Sequence, residues 1–265
     1  MSLNGGMKHL DIHNMNNEEL IHLISKNLSE ETTMNVVDVA PQSFGLAKEL
    51  IAETLSKLDL NRYQSTRNYI NGKVTRLSAY IRHGLIDINS LYEFSQTLDG
   101  PDKFIQELCW REFFAAYAHR YPQSLWHSVE SYKTGYFEDD YASDLPHDIK
   151  DCNTGQVCID QMIEELYQTG YLHNHCRMYI ASYVVHFRKV KWQVGAQWFL
   201  RYLIDGDVAS NNLSWQWVAS TFASKPYIFN LDNVAKFCGD AYDTSPEHNH
   251  ELNFTYEELN ERLFI

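Results

Sequence analysis

Residues 203–217 read LIDGDVASNNLSWQW. Asp205 and Asp207 flank Gly206, two asparagines follow, and two tryptophans close the segment within an otherwise apolar pattern. Acids around a glycine belong to a turn, and a turn carboxylate that becomes buried needs a cation or an N–H group as its partner. Arg177 is the candidate for that partner. If the chain is helical from Asn211 onward, Trp215 and Trp217 stand two residues apart and point to opposite faces. Either both anchor a core helix, or one is buried while the other walls a cavity.

Two other stretches carry the same mixture. On FIQELCWREFF, the residues Glu107, Trp110, Arg111 and Phe114 share one helical face, which combines a carboxylate, a guanidinium and two rings. On YLHNHCRMYIASY, the residues Asn174, Arg177, Met178 and Ala181 share a face that is polar where a core helix should be apolar. Each face alone could hold an internal salt bridge. Together the three point to a walled, polar-lined cavity for a large aromatic ligand bearing phosphates.

The rest of the chain reads as helix almost throughout. SFGLAKELIAETLSKLDL repeats apolar residues at helical spacing, and FIQELCWREFFAAYAHRYP does so until Pro122 stops it. CIDQMIEELYQTG ends at Gly170, a plausible C-cap, and the next helical pattern follows at once. Residues 124–157 read as a long irregular connection, and residues 239–265 as a peripheral tail. There is no βαβ rhythm and no glycine-rich phosphate loop of the Rossmann or P-loop kind. The expectation is an all-α, compact multi-helix bundle.

With 265 residues, of which 44% are hydrophobic and 14% aromatic, the chain can bury a substantial core. Five scattered cysteines without a CxxC pair suggest neither a disulfide framework nor a zinc site, so no metal is expected. No apolar run reaches the roughly 18 residues that would span a bilayer, and the N-terminus lacks the apolar centre of a signal peptide; the expectation is a cytoplasmic protein without a membrane partner. The net charge of −13 argues against a polyanionic partner, yet it is unevenly spread. Residues 62–120 hold 8 basic and 6 acidic side chains, and residues 166–238 hold 7 and 3, so these segments could present a local basic face.

Four segments, VTRLSAYIRHG (74–84), ELCWREFF (107–114), TGYLHNHCRM (169–178) and LIDGDVASNNLSWQWVAST (203–221), resemble the FAD-binding helical domain of DNA photolyases and cryptochromes, in that family's order. The resemblance covers about residues 62–238. It implies an N-terminal helical segment over 1–61 that packs on the core, the FAD-binding domain over 62–238 and an acidic C-terminal extension over 239–265. The family's N-terminal α/β antenna domain has no counterpart in these sixty residues, so an antenna chromophore would come from a separate protein.

The resemblance also implies roles. Thr75, Arg76, Leu77 and Ser78 match the element that holds the FAD phosphates, and Phe104, Glu107, Arg111 and Asn174 line the cofactor pocket. Arg177 and Asp205 match a pair beside the flavin ring, Asp207 matches the carboxylate that accepts a ring N–H, and Asn211 matches the amide facing flavin N5. Glu107, Trp110, Asn174, Met178 and Trp217 match the lesion-facing set of the cyclobutane pyrimidine dimer enzymes. Trp215 and Trp192 match the inner two members of the tryptophan chain that photoreduces flavin. The outer member is missing: the loop around Tyr136, Phe137 and Tyr141 has no tryptophan, which leaves a tyrosine relay as the alternative.

Two functions follow from the resemblance. One is a light-driven lyase that splits pyrimidine dimers in DNA, and the other is a cryptochrome-like flavoprotein that senses or regulates without repair. His175 stands where the family usually has a phosphate-holding arginine. The expectation is therefore weak duplex binding, a preference for single-stranded DNA, where unstacking costs less, and binding that tightens as the pH falls through about 6.5, where an ordinary histidine gains charge.

Overall fold

A computed structural model describes residues 47–265. The N-terminal part of the segment expected over 1–61, residues 1–46, lies outside the described residues. Among these the secondary structure is helical, and the one exception is an isolated parallel bridge between Ala142 and Val190.

The helices begin and end where local chemistry dictates. After α1 (Ala47–Ser56), Asp59 caps α2 (Leu60–Thr66) by accepting the Arg62 N–H at 2.9 Å. A single turn, α3 (Ser78–Arg82), leads to α4 (Ile88–Gln96), which Asp87 caps from the Ser90 N–H. The longest helix, α5 (Asp102–Arg120), stops ahead of Pro122, which opens a short 3-10 turn. After the short α6 (His147–Lys150), α7 (Val157–Thr169) is closed by Gly170 at φ +64°, a left-handed cap that favours glycine. A β-carbon on Gly170 would also meet Ile204 Cγ1 at 2.6 Å, so the 203–207 turn packs directly on this cap.

Helix α8 (Asn174–Ser182) continues as a π-helical turn over Tyr183–Phe187. Then come α9 (Trp192–Tyr202), the 203–207 turn, and α10 (Val208–Ala219), which Asp207 caps and Ser220 closes at φ +71°. Helices α11 (Leu231–Cys238) and α12 (Tyr256–Leu263) complete the chain, the latter with a Thr255/Glu258 capping box.

Helix α10 packs against α9, α8 and α5 and so joins the two hydrophobic clusters. The larger cluster draws on α7 to α11, and the smaller holds Leu60, Tyr63, Leu77, Leu91, Phe104 and Leu108. Two buried amides of α10 fasten the irregular connection: Asn212 donates to Leu125 O, and Gln216 donates to Ser124 O while accepting the Val129 N–H. That connection is irregular, as its composition predicts, but it is packed: Tyr132, Tyr141, Leu145 and Ile149 are buried. The tail corrects the reading of residues 239–265 as peripheral. Tyr242, Leu252 and Leu259 are buried, and Asn249 sits fully inside, where it accepts the Cys158 N–H that starts α7.

His186 in the π-turn is fully buried with Nε2 2.9 Å from Val218 O, and burial, reinforced by Lys189, pushes its pKa down to about 4. The folded value lies below the unfolded one, so this contribution to stability is present above about pH 6.5 and is lost as the pH falls through 4. Urea unfolding at about pH 7.5 and pH 4.5 should show stability falling by on the order of 2–3 kcal/mol from His186 alone. His186→Gln should flatten the profile by that amount; an unchanged profile would place the acid sensitivity elsewhere.

Candidate functional site

The 203–207 turn is held from three sides. Ile204 N–H donates to Gly170 O, Arg82 Nε donates to Gly206 O at 2.9 Å, and His83 Nε2 lies 2.9 Å from Ile204 O. The two aspartates have separate tasks. Asp205, with its side chain only 3% exposed, receives Arg177 Nη2 at 2.8 Å on Oδ2, while Arg177 Nε donates to Leu172 O. Asp207 accepts the Ser210 N–H on Oδ1 and Arg111 Nη2, at 3.2 Å, on Oδ2. The partner expected for the buried turn carboxylate is thus the one observed.

Three acceptors remain on this wall. Asp205 Oδ1 and Ser210 Oγ are buried without a hydrogen-bond partner among the described residues. Asn211 commits its NH2 to Ala196 O and Asn212 Oδ1, which leaves its carbonyl oxygen as the end it can offer a ligand. Of the three, the Asn211 carbonyl is the acceptor that a ring N–H donor could use, while Asp205 Oδ1 and Ser210 Oγ are enclosed by protein.

The two tryptophans of α10 divide as their spacing requires. Trp215 is 2% exposed and packs edge-on to Phe199 at 4.9 Å, whereas Trp217 is 43% exposed and faces Tyr227 at 5.7 Å. Trp215 lies so close to α9 that a β-carbon on Gly195 would come within 2.2 Å of its ring. Trp192, at the start of α9, is fully buried and donates Nε1–H to Ser128 Oγ at 3.0 Å. In the connection, Tyr132 and Tyr141 stack at 4.2 Å and Tyr136 meets Tyr141 edge-on at 6.4 Å.

On α5, Glu107 is ion-paired with Lys103 Nζ at 2.8 Å and Arg67 Nη1 at 3.3 Å. Arg67 also joins this helix to α8, because His173 Nε2 lies 3.1 Å from Arg67 O just ahead of Asn174. Asn174 is exposed and its Nδ2 reaches Met178 Sδ at 3.6 Å. Trp110 is 47% exposed beside Phe114. Arg67 thus links Glu107 on α5 to the start of α8, and Trp110 and Met178 lie on the same two helices. Phe104 lies in the smaller core, edge-on to Tyr63 at 5.3 Å, where its ring packs against protein. In the 75–78 element, Arg76 has φ +53° and lies over the Tyr171 ring at 5.0 Å, a ring that also meets Arg177 at 5.4 Å. Thr75 Oγ1 accepts the Leu77 N–H, Leu77 is buried in the smaller core, and Ser78 opens α3.

His175 corrects the expectation placed on it. Its ring stacks on Phe237 at 4.6 Å, nearly parallel, and burial with help from His173 pushes its pKa down to about 4. It is neutral at pH 6.5, so the pH dependence expected around that value does not follow. Residues not singled out in the sequence include Lys103, Arg67, Tyr171 and Gly195. Lys103 stands four residues before Glu107, a spacing that signals an ion pair on a helix. Gly195 shows itself as a glycine inside an apolar helical pattern.

The family model described as the FAD binding domain of DNA photolyase matches residues 104–248. A deoxyribodipyrimidine photo-lyase of Halobacterium salinarum is 29% identical over 215 residues, covering 76% of this chain and 44% of that protein. An archaeal photolyase of Sulfolobus tokodaii, solved with two FAD molecules, superposes with a TM-score of 0.64 at 25% identity, over 82% of this chain and 54% of that one. A cryptochrome of Synechocystis shares the fold with a TM-score of 0.60 at 20% identity, over 89% of this chain and 51% of that one. The chain thus spans about half the length of the proteins it matches.

Proposed function

The chain belongs to the family of FAD-binding domains of DNA photolyases, and on that premise we propose that it cleaves cyclobutane pyrimidine dimers in DNA under light. FAD is the cofactor of the family, and the donor and acceptor set fits it: the Asp207 carboxylate, the free Asn211 carbonyl, and guanidinium groups at Arg76, Arg111 and Arg177. The chemistry the group supplies when bound is the donation of one electron under light and its recovery once the cyclobutane ring has opened.

The protein's own residues position and sort. Arg177 and Asp205 fix the wall behind the ring system, and Asp207 and Asn211 offer it acceptors. The Trp215 ring is shielded from water by α9, as suits a side chain that passes an electron. Trp110 and Trp217 stand at the mouth to stack on an extruded pyrimidine dimer, with Glu107 as hydrogen-bond acceptor and Asn174 and Met178 beside it. The observation that supports the reading is the Arg67 bridge, which ties Glu107 on α5 to His173, the residue before Asn174 on α8.

The test is Trp217→Ala. Affinity for a dimer-containing oligonucleotide should fall about tenfold, the scale of one lost base stack, with bound flavin unchanged by absorbance. Unchanged affinity, or loss of the flavin, would remove Trp217 from the lesion wall. The second reading, a cryptochrome-like flavoprotein that does not repair DNA, draws support from His175, which as a neutral ring stacked on Phe237 offers a phosphate no charge.

A further inference from the structure

Helix α5 presents a row of rings of which the proposed lesion pocket uses only the first, Trp110. Trp110, Phe113, Tyr117 and Tyr121 recur at helical spacing along one face, with centroids 5.5, 6.0 and 5.0 Å apart in succession. Phe222, from the loop after α10, lies against the row, nearly parallel to Phe113 at 6.4 Å and 4.9 Å from Tyr117. Trp110, Phe113 and Tyr121 are exposed and no aliphatic side chain interrupts the helix between Trp110 and Tyr121 apart from alanines. A continuous exposed aromatic surface of this kind marks an interaction site.

Arg120 lies over the Tyr121 ring at 5.8 Å, next to the exposed His119, and toward the start of the row Arg67 and Lys103 share Glu107 while Arg111 pairs with Asp207, one cation more than the acids. Of the nearby acids, Glu107, Asp207 and Glu130 are each paired with a cation, and Glu112 falls on the opposite side of α5. Eleven residues of helix rise about 16 Å, room for roughly three to five nucleotides of a single strand.

We propose that this face is a stacking platform for single-stranded nucleic acid, on which bases lie against Phe113, Tyr117 and Tyr121 and a phosphate meets Arg120 at the Tyr121 end. It takes Trp110 as its rim and so adjoins the proposed lesion pocket, but its ligand needs neither damage nor light. The charge balance favours this mode. In a chain of net charge −13 whose His175 is neutral and packed away, phosphate attraction is a poor anchor, whereas a base stacks on an aromatic ring without any net positive charge.

The test uses the full-length protein and an undamaged oligothymidylate of about ten nucleotides, with binding read by quenching of tryptophan fluorescence in the dark. The wild type should bind, and log affinity should fall with log salt at a shallow slope of about one to two phosphates. Phe113→Ala/Tyr117→Ala should weaken binding about tenfold or more with helix content and bound flavin retained. Phe222→Ser, which lies outside the helix, should weaken it severalfold and keeps the test valid if the double variant misfolds. No binding, binding indifferent to both variants, or a steep salt slope would overturn the proposal. So would ring substitutions that change sedimentation instead of binding, since the face would then join two copies. Because the strand carries no dimer, this result stands or falls separately from light-driven repair.

Discussion

Replacing Arg177 by alanine should lower stability by about 3 kcal/mol, the scale expected when one partner of a buried ion pair is removed. The loss comes from what remains behind. Asp205 is 3% exposed, one of its oxygens already lacks a partner, and without Arg177 the other loses its 2.8 Å contact. The carboxylate would then stand uncompensated beneath the turn that Gly170, Arg82 and His83 hold in place. The partial exposure of the Arg177 end keeps the effect from being larger. The double variant Arg177→Ala/Asp205→Ala should recover much of the loss, because no lone buried charge remains. Urea denaturation of the three proteins measures this. Additive losses, or a change below about 1 kcal/mol in the single variant, would mean that water reaches Asp205 and that the pair is not the rigid wall described.

What the sequence made legible is what local rules govern. The two-residue spacing of Trp215 and Trp217 on a helix fixes opposite faces whatever packs around them, and the buried and exposed outcomes match. Gly170 as a cap, Pro122 as a stop and Asp205 as a turn acid in need of a cation are equally local. The misread features depend on partners distant in sequence. His175 looked like a titrating phosphate ligand because nothing near it announces Phe237, which covers its ring. Residues 239–265 are acidic and appear peripheral, yet Leu252 and Leu259 find burial, and Asn249 finds the N-terminus of α7. Family resemblance supplied the site roles; the structure adds the restraints on them, such as Glu107 held between Lys103 and Arg67.

The largest effect expected of this protein is the response to light itself. With flavin reduced chemically beforehand, the tryptophan chain is bypassed and only the proposed pocket is under test. Trp110 and Trp217 would hold the dimer beside the flavin site, and in darkness a reduced flavin would lack the excitation needed to give up its electron. The account therefore predicts that a dimer-containing single strand, incubated with the reduced holoprotein, regains its intact pyrimidines under near-ultraviolet or blue light and shows no repair in darkness, as read by loss of the dimer on chromatography. If the flavin is bound and reduced and the dimer survives illumination unchanged, the chain does not repair this lesion and the sensory reading takes its place.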